Sequence, residues 1–243
     1  MDLIIAINTC KNYYKNIKNL IVQLKNSNFP NENILIISGQ EEKNEIIYDN
    51  EIKIVKVVYS GLHLTSAIYI NENIESFKHI NYWVLLPDTI KFGVNFFKKI
   101  EYYYNNLLKN NSIYSLGFIN PRIRPSMDMG ILHTNQIINL TDYLSKIKTY
   151  DVKMDNLIKL KKKLIYNENL ILGCGPINIK NSTKTSTKKL NNKFIKYITN
   201  NRYHIKEKII NNGKINEVYF VLLDLYKYQR NFRGPTHKLV MEL

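Results

Sequence analysis

Tyr82-Trp83-Val84-Leu85-Leu86-Pro87-Asp88-Thr89-Ile90-Lys91-Phe92-Gly93 carries an apolar run that stops abruptly on a carboxylate. Tyr82 to Leu86 is short, continuously apolar and rich in aromatic and branched side chains, which is the composition of a central strand covered on both faces. Beyond it Phe92, Phe96, Phe97 and Ile100 recur at helical spacing. The pattern predicts that Asp88 closes a buried strand and stands just ahead of a helix. Ligands of open α/β sheets bind outside the carboxyl ends of the strands, and a carboxylate there can hold a divalent metal against a phosphorylated ligand. Asp is equally a favoured N-cap, accepting hydrogen bonds from the first free amides of a helix. Capping and ligand binding stand as alternative roles for Asp88.

Working outward, Leu3-Ile4-Ile5-Ala6-Ile7 is a second buried run with a polar tip at Asn8-Thr9. Tyr13, Ile17, Leu20, Ile21 and Leu24 then keep helical spacing up to Asn28-Phe29-Pro30, and Asn33 to Ile37 is a further strand ending on Ser38-Gly39. Strand, helix and strand in this order describe a right-handed βαβ unit with a parallel pair. Its tips fall on the same sheet edge as Asp88. Ile52 to Val58 reads as a third, less enclosed strand, and Leu64 to Ile74 as the helix that leads into the Tyr82 strand. Alternating strands and helices predict one α/β domain, with a mixed, mostly parallel central sheet flanked by helices.

After residue 110 the pattern is looser. Ser112 to Phe118 and Ile131 to His133 read as strands around the proline-bearing loop Asn120 to Gly130, which is either a solvated connection or functional. Ile137, Leu140, Leu144 and Ile147 form a helical face with Asn139, Asp142 and Lys146 outside it. Leu157 to Leu164, Asn191 to Asn200 and Ile205 to Ile210 read as helical pieces, giving a helical C-terminal part, and Asn178 to Asn192 as a polar surface loop. Glu217 to Leu223 is a strand or the start of a buried helix. The tail after it gathers Arg230, Arg233, His237 and Lys238 around Gly234-Pro235, cations that can wrap onto a phosphate-bearing ligand or remain surface charge.

The formal net charge of +15, from 35 Lys and Arg against 20 Asp and Glu, calls for an acidic partner. The lysines are spread along the whole chain amid abundant Asn and Ile, the residues of AT-rich codons, so nucleic acid is disfavoured and a nucleotide diphosphate suffices. Cys10 and Cys174 supply neither a disulfide framework nor metal-ligand spacing. No apolar stretch reaches membrane-spanning length, and Met1-Asp2 runs straight into a strand without the features of a signal peptide. A cytoplasmic protein is expected.

Taken together, these residues resemble the GT-A-fold glycosyltransferases that use nucleotide sugars, and the resemblance covers most of the chain in outline. Leu85-Leu86-Pro87-Asp88-Thr89-Ile90-Lys91-Phe92-Gly93 looks like their strand-end acidic motif, Met129-Gly130-Ile131 like the glycine loop that opens toward the acceptor, and His237 is similar to the histidine that completes metal coordination. The Asn, Ile and Lys bias suits a source such as a large DNA virus. The resemblance implies a single Rossmann-like domain over 1–243, with residues 1–110 as the nucleotide-binding half and 111–243 as the acceptor-side half and tail. The usual Asp-any-Asp pair is absent, because Leu86 and Ile90 occupy the positions two before and two after Asp88.

The implied reaction moves a sugar from a UDP- or GDP-linked donor to a hydroxyl on a glycan or protein. Ala6, Asn8, Thr9, Ser38 and Gly39 are assigned to the nucleotide, and Asp88 with His237 to Mn²⁺ or Mg²⁺. Arg230, Arg233 and Lys238 are assigned as fixed cations for the diphosphate. Asp128 is the first choice for the base that takes the acceptor's proton, with Asp142 as the second. Metal-independent transfer with Lys or Arg neutralising the leaving group, an inactive partner subunit, and a basic nucleic-acid-binding α/β protein are the alternatives.

Overall fold

The computed structural model describes residues 2–11, 14–61, 64–109, 115–119, 129–148, 202–206, 209–211 and 217–228. The N-terminal strand β1 (Leu3–Cys10) is followed by helix α1 (Tyr14–Lys25) and strand β2 (Ile34–Gly39). Next come β3 (Glu45–Asp49), β4 (Ile52–Lys56), α2 (Thr65–Glu72), β5 (Tyr82–Pro87), β6 (Ile90–Phe92) and α3 (Phe96–Tyr103). The chain continues with β7 (Ser115–Ile119), β8 (Gly130–His133), α4 (Thr134–Asn139), α5 (Thr141–Lys148), β9 (Arg202–Lys206), β10 (Ile209–Asn211), β11 (Glu217–Phe220) and β12 (Leu225–Tyr228).

Eight strands form one mixed sheet in the order β3-β4-β2-β1-β5-β8-β7-β9. Pairing is parallel at β4–β2, β2–β1, β1–β5 and β7–β9, and antiparallel at the other neighbours. The expected α/β class, with a mixed and mostly parallel sheet between helices, is what the chain adopts. β1 and β5 are enclosed because their side chains alternate between two separate cores. Leu3, Ile5, Ile7, Tyr82, Val84 and Leu86 pack with Ile17, Leu20, Ile21 and Leu24 of α1 on one face. Ile4, Ala6, Trp83 and Leu85 pack with Ala67, Ile68 and Ile70 of α2, and with Ile137, Leu140 and Leu144, on the other. A strand that must be apolar on both sides loses the alternation of a half-exposed one, which is why these runs stand out in the sequence.

The order in which the strands are laid down decides where a ligand can enter. From β1 the chain crosses by α1 to β2 and on to β4 on one side, then returns by α2 to β5 on the other side of β1. The direction of winding therefore reverses between β1 and β5. With α1 on one face and α2 on the other, the carboxyl ends of these two strands mark the topological switch point of a doubly wound sheet, the place where such sheets bind ligands.

The structure differs from the sequence pattern in several places. β3, which no pattern in the sequence marks, is an edge strand that joins β4 through a tight turn with Asn50 at φ 49° and Glu51 at φ 69°, as a type I′ hairpin requires. Asp88 does not precede a helix directly, since β6 intervenes and α3 begins only at Phe96, after Asn95. The capping role is thereby excluded for Asp88. Of the stretch Ile205 to Ile210, read as helical, Ile205 and Lys206 lie in β9 and Ile209 and Ile210 in β10, so the described residues beyond 200 are in strands and turns rather than helices. The pieces over 157–164, 178–192 and 191–200 lie outside the described residues, as do most of the loop over 120–130 and Cys174. Among the described residues no helix is long and apolar enough to cross a membrane.

The second sheet explains the difference at β6. Four strands in the order β10-β11-β12-β6, all antiparallel, stand at the end of β5. Phe92, Phe220 and Leu225 turn inward to the core shared with α1 and α3. On the outward face the rings of Tyr219 and Tyr226 stack with centroids 4.5 Å apart, and the Lys91 ammonium lies 5.6 Å from the Tyr226 ring. Asp224 locks the junction: its carboxylate accepts hydrogen bonds from the Tyr219 hydroxyl and the Asn95 amide, each at 2.8 Å, and its carbonyl accepts from the Gly93 amide at 2.8 Å. Gly93 is required there, because a Cβ would stand 2.1 Å from an Asp224 carboxylate oxygen.

Candidate active site at the strand tips

Polar residues replace the apolar core where β2, β1 and β5 end. Register pairs Thr9 with Ser38 across β1 and β2, and the Asp88 amide donates to the Asn8 carbonyl at 3.0 Å just past the last pair of β1 and β5. Alternation puts Ser38 and Thr9 on the α1 face, below Ile36 and Ile7 in their strands. The Thr9 hydroxyl donates to Oδ2 of Asp88 at 2.8 Å, which brings the carboxylate to that face too. Exposure is 0% at Ser38, 4% at Thr9 and 6% at Asp88. A carboxylate this enclosed is tolerated only when hydrogen bonds or opposite charge compensate its lost hydration. Thr9 supplies one such bond from the neighbouring strand.

The tip of β2 continues the polar row. The Ser38 hydroxyl donates to a Glu41 carboxylate oxygen, and Gln40 between them takes φ 60°, bending the chain back over the edge. The Gln40 amide is held by the Tyr59 carbonyl at 3.0 Å and the Glu41 amide by the Val57 carbonyl at 3.0 Å. Gly39 sits tightly under this bend, where a Cβ would meet the Tyr59 carbonyl at 3.0 Å and Thr65 at 3.1 Å. At the rim, Lys11 just beyond β1 pairs with Glu42 at 2.6 Å. The hydrogen bond between them, reinforced by their charges, holds the Lys11 ammonium above its usual pKa and the Glu42 carboxyl below its own.

On the opposite face, Asn8 reaches α2. Its side-chain oxygen accepts from the Ser66 amide at 3.1 Å, satisfying one of the free donors at the start of that helix. The Gly61 amide in turn donates to the Thr65 hydroxyl at 2.9 Å. Adjacent residues of β1 thus serve both faces of the sheet, Thr9 toward Asp88 and Asn8 toward α2.

Of the residues singled out in the sequence, Asn8, Thr9, Ser38, Gly39 and Asp88 come together at this edge. Ala6 lies deeper in β1, fully enclosed in the core under α2. Asp142 is exposed in the first turn of α5, where a carboxylate favours the helix terminus. Because α5 packs with α2, Asp142 belongs to the layer on the other side of the sheet from the Asp88 carboxylate. Asp128, Arg230, Arg233, His237 and Lys238 lie outside the described residues. Among the described residues no three His, Cys, Asp or Glu side chains converge as metal ligands. One carboxylate beside a hydroxyl fits Mg²⁺ or Mn²⁺ that keeps much of its water and completes its shell on phosphate oxygens, and does not fit a cage built by the protein alone.

Two side chains of this edge carry no signal in the sequence: Glu41 reaches Ser38 through the left-handed bend at Gln40, and Lys11 stands just past the end of β1.

No protein-family model matches the chain, and no curated protein matches it. Among solved structures it is similar to a glycosyltransferase involved in the glycosylation of the major capsid of PBCV-1, at 12% identity over 65% of this chain and 76% of that chain, with a TM-score of 0.38. An overlay this loose carries no argument about activity.

Proposed function

We propose that this chain is a glycosyltransferase that moves a sugar from a UDP- or GDP-linked donor to a hydroxyl acceptor on a glycan or protein. The observation that carries the proposal is the enclosed Asp88 carboxylate, hydrogen-bonded by Thr9 at the point where the winding of the sheet reverses. That switch point is where α/β sheets receive nucleotides. Asn8, Thr9, Ser38 and Gly39 line the nucleotide side. Asp88 would hold the divalent ion, which stabilises negative charge on the departing diphosphate when bound.

The path of the C-terminus supports this assignment. β12 ends at Tyr228, whose amide donates to the Thr89 carbonyl at 2.8 Å, one residue from Asp88. The last described residue therefore stands beside the site. Arg230, Arg233 and Lys238 are proposed to meet the diphosphate and His237 to join Asp88 at the metal. Asp128, two residues before Gly130 of β8, is proposed as the base for the acceptor hydroxyl. Six of the described lysines, Lys11, Lys25, Lys43, Lys56, Lys78 and Lys148, are paired with carboxylates, Lys43 and Lys56 sharing Glu45, which favours this reading over a free basic stripe for nucleic acid.

A thermal-shift screen of nucleoside diphosphates and nucleotide sugars, with and without Mn²⁺, tests the proposal, because a ligand that binds only the folded state raises its melting temperature. One class of nucleotide should stabilise the protein, and release of that nucleoside diphosphate from its sugar conjugate should follow. Asp88→Ala should abolish both while the protein remains folded. Nucleotide binding by Asp88→Ala equal to that of the unmodified chain would refute the assignment.

A further inference from the structure

We propose that Lys11 is a diphosphate-binding residue and that its pair with Glu42 is the resting arrangement it leaves when the donor enters. This rests on the reading that a nucleoside diphosphate occupies the strand tips. The charges already present there create the need: Asp88 is enclosed at the end of β5, and Glu41 is hydrogen-bonded at the end of β2. A diphosphate brings further negative charge beside these carboxylates; a divalent ion on Asp88 would offset the charge at β5, while Glu41 at the tip of β2 still calls for a cation of its own.

Lys11 is placed to be that cation. It stands two residues beyond Thr9, whose hydroxyl touches Asp88, and continues the same strand tip. Lys56 and Lys43 are both paired with Glu45 on the outer strands at 3.1 Å, and the Lys91 ammonium lies over the Tyr226 ring of the second sheet at 5.6 Å. The Lys11 pair is open to water, with side-chain exposures of 49% for Lys11 and 83% for Glu42. An ion pair in that setting is weak. Phosphate oxygens, carrying more charge at the strand tips, compete successfully for the ammonium. Glu42 then returns to solvent at little cost because it is already exposed. The two residues are expected to act with opposite sign.

Calorimetry with UDP and GDP in the presence of Mn²⁺, and with uridine and guanosine as phosphate-free controls, tests this on the full chain at fixed ionic strength. Lys11→Ala should weaken the diphosphate that binds by about tenfold, the scale of one lost charge-assisted contact, and leave the nucleoside control unmoved. Lys11→Arg should retain most of the affinity, and Glu42→Gln should tighten binding. Unchanged diphosphate affinity in Lys11→Ala, with binding still lost in Asp88→Ala, would overturn the role of Lys11 and leave the donor site standing. Failure of the unmodified chain to bind either diphosphate would overturn both.

Discussion

Asp224→Ala is the substitution whose effect can be worked most directly from the structure. Asp224 is 6% exposed and lies at φ 51°, and its carboxylate receives the Tyr219 hydroxyl and the Asn95 amide at 2.8 Å each. A hydrogen bond to a charged group contributes ~1.5–3 kcal/mol, and removing the acceptor leaves its donor short of a partner. Alanine in the left-handed region costs ~1 kcal/mol more. Water can reach part of the junction, so the expected loss is ~3–4 kcal/mol rather than the full sum, against the ~5–15 kcal/mol that holds a domain folded. Urea denaturation read by far-UV circular dichroism measures it. Asp224→Asn accepts from the Asn95 amide, can donate to the Tyr219 oxygen and tolerates the left-handed backbone, and should lose only about 1 kcal/mol. A loss below 1 kcal/mol for Asp224→Ala, or equal losses for the two variants, would show that the carboxylate does not lock the second sheet to β6.

Gly93→Ala should be at least as damaging, because its Cβ would stand 2.6 Å from the Asp224 backbone oxygen, which cannot rotate away; a midpoint in urea unchanged from the parent would contradict the packing. Thr9→Val keeps the shape of the side chain and removes its hydrogen bond to Asp88. Nucleotide affinity should fall by about tenfold, the equivalent of roughly 1.4 kcal/mol, with calorimetry as the readout. His133 gives a pH signature. Burial lowers its pKa below the ordinary 6.5, an effect larger than the opposing one of Asp2, and its Nδ1 accepts the Asn135 amide at the start of α4 at 3.0 Å. The unfolded chain thus takes up the proton more readily, so the contribution is complete above pH 6.5 and is lost as pH falls below that value toward the folded-state pKa. His133→Asn, also able to cap, should flatten this part of the melting-temperature profile between pH 7 and 5; an unchanged profile would count against it.

The parts of the fold legible in the sequence are those where one physical demand acts alone. β1, β2 and β5 must be apolar on both faces, so Leu3 to Ile7, Ile34 to Ile37 and Tyr82 to Leu86 announce themselves. β3 is half exposed at the sheet edge, with Ile46 and Tyr48 facing solvent, and its Glu45 and Asp49 hide the strand among loop-like residues. The misreading after Asp88 has a similar cause. Phe92 keeps helical spacing with Phe96 because both meet the same core, yet Phe92 belongs to a strand whose partner lies more than a hundred residues away. No local window contains that partner. The helical reading of Ile205, Ile209 and Ile210 fails likewise, since their strands are justified by β7 and β11. At the site, the tips of β1, β2 and β5 were readable because polar residues follow buried strands. The roles of Glu41, Lys11 and Asp224 depend on pairings that sequence distance conceals.

β6 is three residues long, and among the described strands β12 is its one sheet neighbour. So short a ribbon cannot persist without its mate. During synthesis the large sheet can begin to assemble while the bend at Asp88 still lacks the strand that fixes it. Only when residues 225–228 emerge does the earlier segment gain its support, making this corner of the molecule among the last to mature.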